Sequence, residues 1–310
     1  MRVTKGLKNA HSSYPTILTL GTFDGIHQGH KTIISKLTSE SKKNNLKSII
    51  LTFFPHPRNV VSSEKIKSIS TLDEKIEIFS KLEIDELIVQ NFDKSFSNTS
   101  AEEFVKLLVD NLNLKKIIVG YNHRFGKNRS ADISVLKDFS LKYNFEVVEI
   151  KAFEVEKIKI SSTKIRNAIN EGNIDVCNSY LGYNFSINGI VVIGKSIGKS
   201  IGFPTANINI VEEYKIIPKN GVYLVLCFFE RNKYYGMMNI GFNPTFGSNK
   251  KSIEVNIFDF NKDLYGKNIK IEFLKFIRDE IKFDNAEMLK NQLNIDRENC
   301  IKHINSTYNN

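Results

Sequence analysis

Apolar and polar positions change their texture once along the chain. Over residues 1–150, short apolar runs alternate with amphipathic stretches. The runs are Thr16–Leu20, Ser48–Phe53, Glu86–Gln90, Lys116–Val119 and Phe145–Ile150. Each is apolar on both faces, which is how a parallel strand covered on both sides reads. Between them lie amphipathic stretches at 31–43, 72–82, 101–112 and 133–143, and two carry capping boxes, Thr71…Glu74 and Ser100…Glu103. Strand–helix units of this length predict a doubly wound parallel sheet. Two further helices are expected over 164–171, closed by Gly172-Asn173, and over 174–181, stopped by Gly182.

Beyond residue 184 the period shortens to two. The stretches 185–193, 206–210, 221–229, 233–240, 252–260 and 269–276 read as strands separated by Gly- and Pro-rich turns. One helical pattern follows, over 285–304. Six close strands and a terminal helix predict a small antiparallel barrel. The expected fold is therefore α/β: a Rossmann-like domain over 1–182, then a six-stranded barrel domain over 183–310.

Composition narrows this only a little. The 310 residues are 41% hydrophobic, enough for a core in each domain, and the net charge is +10. A basic balance suits phosphorylated ligands and nucleic acid alike. A coding bias toward Lys and Asn would give the same skew. The lysines are scattered, and no RNP-type, KH or helix-turn-helix signature is present, so charge alone supports nucleic-acid binding. Cys177, Cys227 and Cys300 are far apart and odd in number, as reduced thiols of a cytoplasmic protein would be. The first residues lack a signal-peptide apolar region, and no apolar run approaches the roughly 20 residues of a membrane span.

Candidate chemistry begins at Gly21-Thr22-Phe23-Asp24-Gly25-Ile26-His27-Gln28-Gly29-His30, where a strand hands over to a helix. Helix N-terminal N–H groups and small residues make such a crossing a phosphate site. Two histidines three apart can both face a transferring phosphate. A metal is less well served, because no acidic or Cys partner stands at ligand spacing. The run Ile160-Ser161-Ser162-Thr163-Lys164-Ile165-Arg166 supplies hydroxyls at a helix start and a guanidinium one turn on, either as a phosphate clamp or as an ordinary Ser N-cap. In the second half, Gly194-Lys195-Ser196-Ile197-Gly198-Lys199-Ser200-Ile201-Gly202-Phe203-Pro204-Thr205-Ala206-Asn207 lacks P-loop spacing, yet such a loop can cover phosphates with backbone N–H groups. Thr205 and Asn207, two apart on an extended chain, can direct both oxygens at one Mg²⁺.

These motifs resemble those of bacterial bifunctional riboflavin kinase/FMN adenylyltransferases over about residues 15–300. The first half adds Phe54-Pro55-His56-Pro57 and Val119-Gly120-Tyr121-Asn122-His123-Arg124-Phe125-Gly126-Lys127 to the likeness; relatives often carry Asp-Phe at the Asn122-His123 pair. The second half resembles the flavokinase G-F-P-T-A-N motif. It adds Gly221-Val222-Tyr223, Asn239-Ile240-Gly241-Phe242-Asn243-Pro244-Thr245-Phe246 and Glu254-Val255-Asn256-Ile257-Phe258-Asp259-Phe260…Leu264-Tyr265-Gly266.

The resemblance implies two reactions. Riboflavin and ATP give FMN in the barrel domain; FMN and ATP give FAD and pyrophosphate in the nucleotidyltransferase domain. It implies that His27 and His30 donate to the α- and β-phosphates, and that Ser162, Thr163 and Arg166 hold the pyrophosphate. Gly21, Phe23, Asp24, Gly29 and Asn122 complete the ATP site, with Asp24 either a partner of Mg²⁺-bound water or a turn residue. It implies Glu254 as the base for the riboflavin 5′-hydroxyl and Thr205 and Asn207 as Mg²⁺ ligands. Gly194, Lys195, Gly198, Lys199, Gly202, Pro204, Asn239 and Arg278 would hold ATP and flavin, with Arg278 near the flavin phosphate. Lys199 stands where relatives often have Arg and lacks the bidentate fork. A competing expectation keeps only one activity, the kinase, because the 121–124 stretch is variable.

Overall fold

In the first half the both-face-apolar runs do build one parallel sheet. The structure, a computed structural model, describes residues 1–150, 160–194, 198, 201–242 and 251–307. Packing divides the chain after Ser162 into two compact units. In the first, β1 (Arg2–Lys5), β2 (Thr16–Leu20), β3 (Lys47–Phe54), β4 (Glu86–Asn91), β5 (Leu114–Gly120) and β6 (Glu146–Ile150) stand in the order β1-β4-β3-β2-β5-β6. All five pairings are parallel.

Helices α1 (Gln28–Asn44), α2 (Pro57–Val61), α3 (Leu72–Ser80), α4 (Lys94–Ser97), α5 (Ala101–Leu112) and α6 (Ile133–Tyr143) link the strands. Both capping boxes are present. Leu18, Ile49, Leu51, Ile88 and Ile117 pack with Phe104, Val105 and Leu108 of α5 and Leu136 of α6. Alternate strand residues Ile17, Ile50, Leu87 and Ile118 pack with Ile34 and Leu37 of α1 and Phe79 of α3. The period-two switch of faces is what gives the sheet a core on each side.

Three features depart from the pattern reading. β1 is an unexpected edge strand in which only Thr4 is buried, so it has no apolar signal. Helix α1 begins at Gln28 rather than Lys31, with His27 as its N-cap, so His30 lies in the first turn. The short helices α2 and α4 fall below the length at which periodicity is readable.

In the second unit, β7 (Ser186–Val192), β8 (Ala206–Asn209), β9 (Gly221–Phe229), β10 (Asn232–Gly241), β11 (Ser252–Ile257) and β12 (Asn268–Arg278) close a barrel in the order β10-β11-β8-β7-β12-β9. Every pairing is antiparallel. Tyr223, Val225, Cys227, Ile240, Val255 and Phe273 are fully buried. The alternate residues Val222, Leu224 and Met237 pack against Cys300 and Ile304 of the terminal helix Ala286–Thr307. The helices Ser162–Glu171 and Ile174–Leu181 precede the barrel. Residues 163–181 group with this unit rather than with the first. Asn178 explains why: its amide donates to the Phe273 carbonyl at 2.9 Å, and its oxygen accepts from the Phe185 N–H at 2.7 Å.

Candidate functional sites

The first sheet reverses its winding between β2 and β5, and ligands of open α/β sheets bind beyond the strand ends at such a point. Gly21–His30 leaves the end of β2 there, and Gly120–Phe125 leaves the end of β5. The first of these turns is conformationally demanding. Phe23 (φ 45°) and Ile26 (φ 36°) are left-handed beside Gly25 (φ 82°). A left-handed β-branched residue is an outlier that persists only where its surroundings over-determine it. Ile26 is wholly buried and Phe23 is 2% exposed. Phe23 packs edge-on against both His30 (5.2 Å) and Phe79 (5.7 Å).

Polar ties hold the same turn. The Asp24 carboxylate accepts the Ile69 N–H at 3.0 Å and the Ser70 N–H at 3.2 Å. The Asp24 carbonyl accepts the Ser162 hydroxyl at 2.9 Å. The Thr22 carbonyl accepts the Lys75 ammonium at 2.8 Å and the Thr52 hydroxyl at 3.2 Å.

His27 and His30 stack with ring centroids 3.7 Å apart and planes 19° apart. A Cβ on Gly29 would press on the His27 ring at 3.3 Å, so a small residue is needed there. Burial is the main cause that pushes His27 down to about 4, partly offset by Asp24. Burial first, then His27 and Lys75, holds His30 well below its ordinary value. Both rings are therefore neutral at pH 7. The Nδ1 atoms of both are buried without a hydrogen-bond partner. Two orphaned polar atoms at a helix N-terminus, whose first N–H groups have no intrahelical acceptors, suit an incoming phosphate.

The second site is a row across three strands of the barrel. Glu254 on β11 stands opposite Asn207 on β8 and opposite Asn239 on β10, so the three side chains share a face. Thr205 donates to Glu254 Oε2 at 3.2 Å, and Ser252 donates to Oε1 at 3.1 Å. Glycines bring the chain close to this row. A Cβ on Gly194 would overlap the Asn207 amide, and one on Gly198 would overlap the Phe203 carbonyl and lie 3.3 Å from Thr205 Oγ1. Asn256 donates to the Pro204 carbonyl at 2.7 Å and fixes the bend that presents Thr205. Gly202, at φ 86°, makes the turn before it.

Comparison with known proteins gives these two sites a common setting. The FAD synthetase family model matches residues 9–164, and the riboflavin kinase model matches residues 181–304. The bifunctional riboflavin kinase/FMN adenylyltransferase of Buchnera aphidicola subsp. Schizaphis graminum is 38% identical over 98% of this chain and 99% of its own. The Escherichia coli K12 protein of the same name is 33% identical over 94% of this chain and 95% of its own. This chain belongs to the bifunctional riboflavin kinase/FMN adenylyltransferase family. It carries the FAD synthetase and riboflavin kinase domains together, and so both activities. A solved structure of a macrolide-efflux protein from Streptococcus pneumoniae, 32% identical, superposes with TM-score 0.86 over 96% of this chain and 98% of that one. No helix among the described residues here is long and apolar enough to cross a membrane.

Within this family setting, the structure brings some of the expected site residues together. Gly21, His27, Gly29 and His30 meet in one turn. Glu254, Thr205, Asn207 and Asn239 meet in one row, next to Gly194 and Gly198. Asn122 is exposed beyond β5, and Thr163 and Arg166 lie in the first turns of their helix. Lys195 and Lys199 lie outside the described residues. Three side chains have other work than expected. Phe23 is a core plug behind His30. Ser162 gives its hydroxyl to the Asp24 carbonyl, while Asp24, with its carboxylate on the Ile69 and Ser70 N–H groups, takes the turn role, one of the two expected of it. Arg278 makes a fork with Asp296: Nε at 2.9 Å and Nη2 at 2.7 Å, with Asp296 1% exposed. That fork anchors the terminal helix to β12. Sequence reasoning passed over Ser252 and Lys75, although both were marked. Ser252 is two residues from Glu254 on a strand. Lys75 shares the apolar helical face of Leu72, Ile76 and Phe79.

Proposed function

We propose that residues 183–310 phosphorylate riboflavin and residues 1–182 adenylylate the product, with the groups just described in the roles that follow. The observation that carries this reading is the Asn207–Glu254–Asn239 row with Thr205, on the same chain as an orphaned histidine pair at an α/β switch point.

In the kinase reaction the riboflavin 5′-oxygen attacks the γ-phosphorus of ATP, its proton passes to Glu254, and ADP leaves. Thr205 and Ser252 hold the two oxygens of that carboxylate, which fixes the base before substrate arrives. The donors beside it are a hydroxyl, an amide oxygen and a carboxylate. These are the hard oxygens that Mg²⁺ takes, and Gly194 and Gly198 bring the chain close beside them. Thr205 and Asn207 would hold the ion, which supplies charge neutralisation across the ATP phosphates.

In the adenylyl transfer, an FMN phosphate oxygen attacks the α-phosphorus and pyrophosphate leaves, with no covalent enzyme intermediate. His27 and His30 hydrogen-bond the phosphate oxygens beside the N-terminus of α1. Ser162 and Asp24 keep the turn in place, and Asn122 bonds the nucleotide. All three cysteines are free and buried, which fits a reducing, cytoplasmic setting.

Incubation with riboflavin and MgATP, with flavins separated over time, tests the whole reading. FMN is expected to rise and then give way to FAD. FMN alone would remove the adenylyl half, and unchanged riboflavin would remove both. His30→Ala is expected to stop FAD formation and leave FMN formation intact.

A further inference from the structure

We propose that Lys75 is a positioning residue for adenylyl transfer: a buried ammonium that holds the Gly21–Asp24 turn and fixes a positive charge behind the histidine pair. This rests on the adenylyl-transfer reading of that turn.

Lys75 is 5% exposed, a rare state for a lysine unless something is gained by it. Helix α3 drives it inward. The Thr71–Glu74 capping box sets the start of the helix, and Leu72, Ile76 and Phe79 turn the same face to the core. The ammonium then meets the Thr22 carbonyl at 2.8 Å. Thr22 immediately precedes the left-handed Phe23, so this bond acts where the turn is under strain. The segment just before α3 makes a second tie, from Ile69 and Ser70 to Asp24. One bracket, residues 69–75, therefore clamps both sides of Phe23.

The charge has its own consequence. His27 and His30 are neutral and offer hydrogen bonds but no net charge. Lys75 is the cation packed into the same region, and its field opposes protonation of His30. A triphosphate arriving at the turn meets that ammonium, an Asp24 carboxylate already engaged by the Ile69 and Ser70 N–H groups, and two neutral rings that need no reorganisation. That is a division of labour the paired histidines cannot supply alone.

The test is steady-state FAD formation from FMN and MgATP by the full chain carrying Lys75→Met or Lys75→Arg. Thermal unfolding and riboflavin phosphorylation are measured on the same samples. Lys75→Met is expected to lower kcat/KM by ~10- to 10²-fold, since a turn that loses one of its ties misplaces the groups that meet the phosphate by a fraction of an ångström. The loss should appear in kcat and in KM for ATP, with KM for FMN within about twofold. Tm should change little, because the Thr52 hydroxyl still satisfies the Thr22 carbonyl once the ammonium is gone. Lys75→Arg, which keeps the charge, should recover most of the lost rate. Wild-type kinetics in Lys75→Met would overturn the proposal, as would equal changes in both KM values with a lower Tm, or an Arg variant no better than Met. If the wild-type chain itself makes no FAD, the adenylyl reading fails before this one is reached.

Discussion

At Glu254, one carboxylate is held by two hydroxyls that come from different parts of the chain. Thr205 lies 49 residues away, while Ser252 is its near neighbour on β11. Glu254→Gln should lower kcat for FMN formation by ~10²- to 10⁴-fold with KM for riboflavin little changed, the signature of a lost base. FAD formation from added FMN should continue at the wild-type rate. Ser252→Ala should cost far less, a few-fold in kcat, because it loosens the base without removing it. Legibility at this scale followed the strand period. Positions 205 and 207, and 252 and 254, share a face by alternation alone, so the row was readable once the strands were. Arg278 was not readable. Its partner Asp296 sits on a helix 18 residues on, and local pattern does not tell which barrel face that helix covers. Asp296→Ala should leave a half-buried guanidinium without its carboxylate and cost about 1–3 kcal/mol in the denaturant-unfolding free energy of the barrel unit.

Among elements, the turn between β2 and α1 shows how three distant segments converge on one strained stretch. The sequence marked the turn as a phosphate site by its glycines and histidines. It could not show that Asp24 faces Ile69 and Ser70, because that tie spans more than 40 residues of intervening fold. Asp24→Ala would leave those buried N–H groups without their carboxylate. About 1–3 kcal/mol should be lost from the first unit, read as a lower midpoint in a denaturant titration. FAD formation should fall with it while FMN formation stays. The parallel sheet itself was legible because runs apolar on both faces have few other homes. β1 escaped because an edge strand needs only one buried residue.

Across the whole molecule, the titratable groups weigh unevenly on the two units. In the first, burial pushes both His27 and His123 down to about 4, and His30 lies well below its ordinary value. Each is protonated in the unfolded chain below about 6.5 and resists protonation when folded. The unfolded state then binds more protons as pH falls, so stability present above pH 6.5 is lost progressively from there toward pH 4. Each such proton contributes up to ~1.4 kcal/mol per pH unit. Unfolding monitored at pH 7.5, 6 and 5 should show a steep fall for the first unit. FMN formation should outlast FAD formation after incubation at pH 5. A flat profile would mean that these rings are solvated in the folded chain.

The two sheets also end differently. In the barrel every strand has a neighbour on both sides. Among the described residues the parallel sheet ends at β1 on one flank and β6 on the other. Arg2 and Lys5 stand exposed along one flank, and Glu146 and Glu149 along the other, where Lys116 and Lys137 engage them at 2.9 Å and 3.0 Å. Charged flanks resist edge-to-edge pairing between molecules. Replacing Arg2 and Lys5 by apolar residues would remove that guard from β1, and light scattering should then show copies of this chain associating where the native sequence does not.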